Sequence, residues 1–216
     1  MWLIRRQVVG ITSSTALWYA SRATGVVALV LLTVVVLLGI LVNRRGQLPG
    51  LPRFATTSLH RSMSLLAVAF IAVHIVTAIA DPYVTIGIAA AVIPFTSPYK
   101  PLWLGLGAIS LDLMVALILT SLARARIGRR TWRTVHWLAY ACWPAAVLHG
   151  IGSSTDMRAG WLLALTIGCT AAVLAAAAWR VSRAIAASGP AARPARALAA
   201  EELAHAGDPR LTSTGA

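Results

Sequence analysis

Along the chain, apolar residues run in long unbroken stretches, unlike the short alternations of a strand or the one-sided stripe of a soluble helix. Five stretches, 16–42, 62–80, 101–123, 134–155 and 159–179, are nearly free of charge. Each reaches the roughly 20 residues that a helix needs to cross the hydrocarbon of a bilayer. A lone segment in lipid satisfies its backbone hydrogen bonds only internally, so all five are expected to be α-helical. The pattern predicts an all-α integral membrane protein, a bundle of about five transmembrane helices, or six. Between the second and third stretches, residues 81–100 (DPYVTIGIAAAVIPFTSPYK) are apolar in the middle but broken by Pro82, Pro94 and Pro98. That segment is too interrupted to span and is expected to lie on the outer surface or dip back as a cap.

Composition narrows the class. With 58% hydrophobic and 12% charged residues among 216, the chain has too little polar surface for a soluble domain. A formal charge of +13 would raise nucleic-acid binding in a soluble protein, but here the arginines follow the spans. Arg44, Arg45, Arg53 and Arg61 surround the first connection, and Arg124, Arg126, Arg129, Arg130 and Arg133 the third. Arg180, Arg183, Arg193, Arg196 and Arg210 follow the last span. With five spans these all fall on one side, opposite Arg5, Arg6, Arg22, Lys100 and Arg158. The positive-inside rule then puts the N-terminus outside and the C-terminus in the cytoplasm of a multi-pass protein of the cell membrane. Lipid is the expected surrounding, and no nucleic-acid partner is expected.

Three regions follow. Residues 1–15 form a short leading segment, read as retained because it has no separate apolar core or persuasive cleavage site. Residues 16–180 form the membrane domain. Residues 181–216, rich in Ala, Pro and Arg, cannot bury a core and are expected to be a mobile cytoplasmic tail, with one short helix near 195–206. Cys142 and Cys169 lie within spans and are read as small buried hydrophobes.

Chemistry enters with histidine. His60 begins the second span and His74 follows fourteen residues later; His136 begins the fourth and His149 follows thirteen later. These spans run in the same direction, so the histidines form two pairs at two depths, about 20 Å apart along the axis. Fourteen residues bring His74 within about 40° of the face of His60, whereas thirteen leave His149 about 140° from that of His136. Pro144 lies between the latter two and kinks the axis, which relaxes ideal phasing. A single membrane histidine can simply bond a neighbouring helix. Four that are the only ones in the membrane, on two parallel helices at matched depths, fit two haems instead, each iron taking one imidazole from each helix. Such a centre has no open position and carries electrons.

This spacing resembles that of the ferric reductase-like transmembrane domain family, which includes ferric reductases, NADPH oxidases and the haem subunit of the bacterial methionine sulfoxide reductase system. The resemblance covers about 17–178. Stretches such as LWYASRATGVVALVLL and YKPLWLGLGAISLDLMVALILTSLARARIGRRTWRTVHWLAY look like bacterial, especially actinobacterial, members. It implies two haem b groups, the inner on His60 and His136 and the outer on His74 and His149. Ferric reductases and NADPH oxidases usually continue into a flavin and nicotinamide domain. Here only about 37 residues follow the last span, so no flavin or nicotinamide site is expected on the chain. Electrons are expected from a separate flavoprotein or membrane quinol, bound for an extracytoplasmic acceptor such as ferric iron or a partner reductase.

Other residues have paired readings. Arg61 and Arg133 near the inner pair, and Arg22 near the outer, suit haem propionates, and suit equally a topological role at the interface. Asp112 is the single carboxylate within a span. It reads as a proton relay or quinol-orienting group, or as a protonated acid bonded to a neighbouring serine or carbonyl. Gly25, Gly39, Gly105 and Gly107 allow close approach of a macrocycle or of another helix. Trp143 fills the gap between haems or packs the core, while Trp18, Trp103, Trp132 and Trp161 are expected in interfacial belts. The expected function is that of a membrane cytochrome b, the electron-transfer subunit of an oxidoreductase. The alternatives are a quinol-linked cytochrome subunit and, in another class, a small transporter or assembly factor without haem.

Overall fold

A computed structural model of the chain describes residues 2–43, 53–82, 84 and 86–188, with side chains described at 15–41, 54–82, 84 and 86–186. All regular structure among the described residues is helical. The order is α1 (Trp2–Asn43), α2 (Arg53–Ala80), α3 (Ile88–Val92), α4 (Pro101–Leu122), α5 (Arg124–Ile127), α6 (Arg129–His136) and α7 (Ala139–Ser153). A 3₁₀ turn (Asp156–Arg158) and α8 (Gly160–Ser188) follow. Among these, Thr15–Leu41 of α1, Phe54–Ala80 of α2, α4 and Gly160–Ala186 of α8 are long and apolar enough to cross a bilayer, which makes the chain a multi-pass membrane protein.

The boundaries differ from the hydropathy pattern in three places. The leading segment is continuous with α1, whose helix begins at Trp2. The last helix continues to Ser188, past the point where the tail was expected to begin; the short helix expected near 195–206 lies outside the described residues. The fourth expected span is divided into α6 and α7 at Trp137 and Leu138. Both joint residues have 3₁₀-like dihedrals, with ψ of −22° and −17°. The bonds Trp137 N–H to Thr134 O, Leu138 to Val135, Tyr140 to Trp137 and Ala141 to Leu138 all reach back three residues. The chain therefore tightens without reversing direction.

Packing pairs α1 with α2 and α4 with α7 and α6, and α1 also touches α7. Helix α2 is covered mainly by α1 and keeps Leu65 and Val76 more than 60% exposed. It does not pack closely along α7, so the helices that carry the histidines approach each other chiefly through the imidazole rings. The core of the unit formed by residues 1–173 gathers Leu29, Trp143, Val147, Met157, Cys169 and Val173. Residues 174–188 are helical and belong to a second unit.

Lipid supplies no hydrophobic drive for helices to associate, so small residues and polar ties matter more here than in a soluble bundle. The Trp143 indole N–H donates to Thr33 Oγ1 at 3.0 Å, joining α7 to α1, and Thr33 in turn donates to Leu29 O. Ser110 Oγ donates to Cys142 O at 3.0 Å while Cys142 Sγ donates to Ser110 O at 3.3 Å, joining α4 to α7. Cys142 and Cys169 are both free and buried, as expected of small hydrophobes.

Segment 81–100 folds back on the bundle. Helix α3 lies on α4, and the Phe95 ring occupies the space above Gly105 where a Cβ would collide with it. Lys100 adopts a left-handed conformation with φ of 43° and donates from Nζ to the carbonyls of Gly152 and Ser153, a cation on the C-terminus of α7. Tyr83 and Thr85 lie outside the described residues.

Thr33→Val should destabilise the protein by about 1 kcal/mol, near the upper part of the range for interhelical bonds in membranes, because it strands the Trp143 donor. A double-mutant cycle with Trp143→Phe, followed by unfolding in detergent, checks this. If the two costs simply add, the tie between α1 and α7 does not exist.

Candidate functional site

The four membrane histidines meet in two pairs. His60 of α2 faces His136 at the end of α6, with ring centroids 6.5 Å apart and planes crossed at 67°. His74 of α2 faces His149 of α7 at 6.3 Å and 77°. First meets first and second meets second, so α2 and the α6–α7 stretch run parallel. The joint at Trp137 and Leu138, six or more residues before Pro144, takes up about 40° of the thirteen-residue mismatch, because 3₁₀ geometry turns the chain about 20° further per residue than an α-helix.

Three of the four rings are held from behind in the same way. Nδ1 of His74 lies 2.7 Å from Ser21 O, that of His60 3.1 Å from Val35 O, and that of His149 2.8 Å from Trp103 O. A carbonyl only accepts, so each Nδ1 carries the proton and donates, leaving Nε2 with a free lone pair. Each carbonyl stands four residues before a glycine: Ser21 before Gly25, Val35 before Gly39, Trp103 before Gly107. A Cβ at Gly25 would lie 3.0 Å from the His74 ring, at Gly39 3.5 Å from that of His60, and at Gly107 2.6 Å from Nδ1 of His149. The glycines are notches that let an imidazole reach the carbonyl of a neighbouring helix. Gly105 serves Phe95 instead.

His136 lacks this support. Its Nδ1 is buried and has no hydrogen-bond partner among the described residues. Its ring instead stacks on Trp132 at 4.9 Å and 27°, and Trp132 Nε1 reaches Ser121 Oγ at 3.4 Å. Two tryptophans expected in the interfacial belt thus belong to the site: Trp132 beside His136, and Trp103 through its carbonyl. Trp143 is 7% exposed in the core, consistent with packing.

The remaining candidates spread to the two ends. Arg61 and Arg133 are exposed near His60 and His136. Arg22 follows Ser21, whose carbonyl holds His74, but its guanidinium is engaged with Asp156 and with Ser154 Oγ and lies over the Trp18 ring at 3.9 Å. Asp112 is exposed on α4 and makes no hydrogen bond among the described residues; the serine that bonds across the interface is Ser110. Among the described residues no three His, Cys, Asp or Glu side chains converge, so each level offers two imidazole donors and no more.

The family described as ferric reductase like transmembrane component matches residues 24–147. That is more than half of the chain and takes in His60, His74 and His136, with His149 two residues beyond. No curated protein and no solved structure matches the chain.

The notch distances predict an order of sensitivity. Gly107→Ala should cost about 1–3 kcal/mol by overpacking His149, Gly25→Ala less, and Gly39→Ala should be close to neutral, since Ala also favours the helix. Unfolding of the three variants in detergent gives the order. A cost for Gly39→Ala equal to that for Gly107→Ala would show that the notches do not set it.

Proposed function

The chain belongs to this family, and we propose that it is a membrane cytochrome b holding two haem b groups, one between His60 and His136 and one between His74 and His149. The observation that carries the reading is the ring spacing. Two metal–nitrogen bonds of about 2 Å, each extended from the nitrogen to its ring centre, put opposed imidazole centroids roughly 6 Å apart. The centroids of the two pairs are 6.5 and 6.3 Å apart.

The donor set fits as well. A bare ion seeks four or more ligands, whereas a haem brings four equatorial nitrogens and needs two axial ones, the number each level offers. The lack of close packing between α2 and α7 leaves room for a flat group, and the carbonyl bonds to Nδ1 of His60, His74 and His149 fix the tautomer that leaves Nε2 to ligate. When bound, each haem supplies one-electron chemistry at an iron with both axial positions filled. The residues of this chain hold the rings and set the two depths. Arg61 and Arg133 are suited to propionates at the Arg-rich end, and Arg22 at the other once it exchanges Asp156 for a propionate.

Following the positive-inside rule, the His60–His136 level is the cytoplasmic one, and electrons pass from there to the His74–His149 level and on to an extracytoplasmic acceptor, ferric iron or a partner reductase. The donor is a separate flavoprotein or membrane quinol. The chain then serves as the transmembrane electron-transfer subunit of an oxidoreductase.

Pyridine haemochrome quantitation of the purified full chain should return two haems. His60→Ala and His136→Ala should each leave one, and the double variant should also leave one, because both remove the same group. His74→Ala with His149→Ala should behave likewise. A chain without haem when made with adequate supply, or a His60→Ala/His136→Ala variant that loses both groups, overturns the assignment.

A further inference from the structure

The pairing reading leaves unused a cavity at the Arg-rich end. Arg124 of α5, Arg129 at the start of α6 and Trp132 one turn later line a cleft of about 490 Å³. The corner between the two short helices is Gly128, whose φ of 78° turns the chain so that arginines on either side of it reach one space. Arg124 lies over the Trp132 ring at 5.6 Å. The first turn of α6 has no side-chain cap, so its amide N–H groups are open to an acceptor. Among the described residues neither arginine is paired with a carboxylate.

Arginines at a cytoplasmic boundary ordinarily need no ligand to explain them. Here, however, only two of the five in this connection line the cleft: all five are exposed, but Arg126, Arg130 and Arg133 lie outside it. Two guanidiniums, open helix amides and an indole wall form a donor set without an acceptor. Phosphate matches that set, since its oxygens take bidentate arginine bonds and its charge suits a helix N-terminus.

We propose that Arg124, Arg129 and Trp132 form a binding site for a phosphate group at the cytoplasmic end of the bundle. The phosphate belongs either to a lipid headgroup or to a soluble phosphate ester. Trp132 also stacks on His136, whose Nδ1, alone of the four, has no hydrogen-bond partner among the described residues, so the site adjoins the ring with the fewest anchors there. A group bound there rests against the wall that orients that ring. The proposal does not depend on haem, and haem content measured in the same samples separates its failure from failure of the cytochrome reading.

The test uses the full chain in nanodiscs of neutral phosphatidylcholine titrated with pyrophosphate, and in nanodiscs containing phosphatidylglycerol scored for lipid retained per chain. Saturable binding at one site per chain is expected in one arm, the first identifying a soluble ester and the second a lipid headgroup. Arg124→Gln/Arg129→Gln should weaken it at least about tenfold, from the loss of charge-assisted bonds. Arg126→Gln/Arg130→Gln, with the same change in charge, should leave it intact. A measurement without variants stands beside this: the bound ligand should protect Arg124 and Arg129 of the wild-type chain from phenylglyoxal, but not Arg126 and Arg130. No saturable binding in either arm, equal loss in both double variants, or uniform protection of all four arginines overturns the proposal.

Discussion

An imidazole inside a membrane has two ring nitrogens and no water to satisfy them, and the fold is organised around meeting that requirement. Three times it does so with one device, an Nδ1–H donated to a helical carbonyl four residues before a glycine. That carbonyl is already bonded to the glycine N–H within its own helix. At Gly25 and Gly107 its second lone pair is reachable because the glycine has no side chain over it, while Gly39 leaves more room. The bond fixes ring, tautomer and helix spacing at once, and it is why α1 must lie on α2 and α4 on α7.

The device also shows a repeat that sequence similarity hides. Helices α1 and α2 present Gly25 to His74 and Gly39 to His60; helices α4 and α7 present Gly107 to His149. The fourth notch would fall at Ser121, fourteen residues after Gly107, as Gly39 is fourteen after Gly25. Ser121 carries a side chain, and that side chain bonds Trp132. His136 therefore rests against an indole and has no carbonyl partner among the described residues. The two levels are unequal as a result: one has both rings anchored by hydrogen bonds, the other only His60.

Much of this was legible in the residues. Apolar runs longer than a bilayer is thick identified four long membrane helices of the five expected, the run at 134–155 being divided into α6 and α7, and two histidine pairs at matched spacing identified which residues meet. The glycines were visible as sites of close approach, and the equal fourteen-residue spacing of Gly25 to Gly39 and His60 to His74 was a signal that they serve the histidines. What hydropathy cannot express is a break that keeps its direction: the joint at Trp137 and Leu138 is made by backbone dihedrals within an apolar run, while Pro144, the conspicuous breaker, lies inside α7. Nor can composition separate a tryptophan of the interface from one stacked on a paired histidine. Arg22 shows a related limit, since Asp156, its partner, is distant in sequence and becomes a neighbour only through the fold.

The ring planes permit a direct test. An imidazole interacts chiefly with one of two iron d orbitals, chosen by the orientation of its plane. On a haem iron held as proposed, rings crossed at 67° and 77° would act on different orbitals and leave the two nearly equal in energy. Low-temperature electron paramagnetic resonance of the oxidised, purified chain should therefore show two low-spin ferric centres, both with the strongly anisotropic signal of crossed axial imidazoles. Rhombic low-spin signals from parallel rings, high-spin ferric iron with an axial position unfilled, or no haem iron at all would contradict a pair of bis-imidazole centres at these histidines.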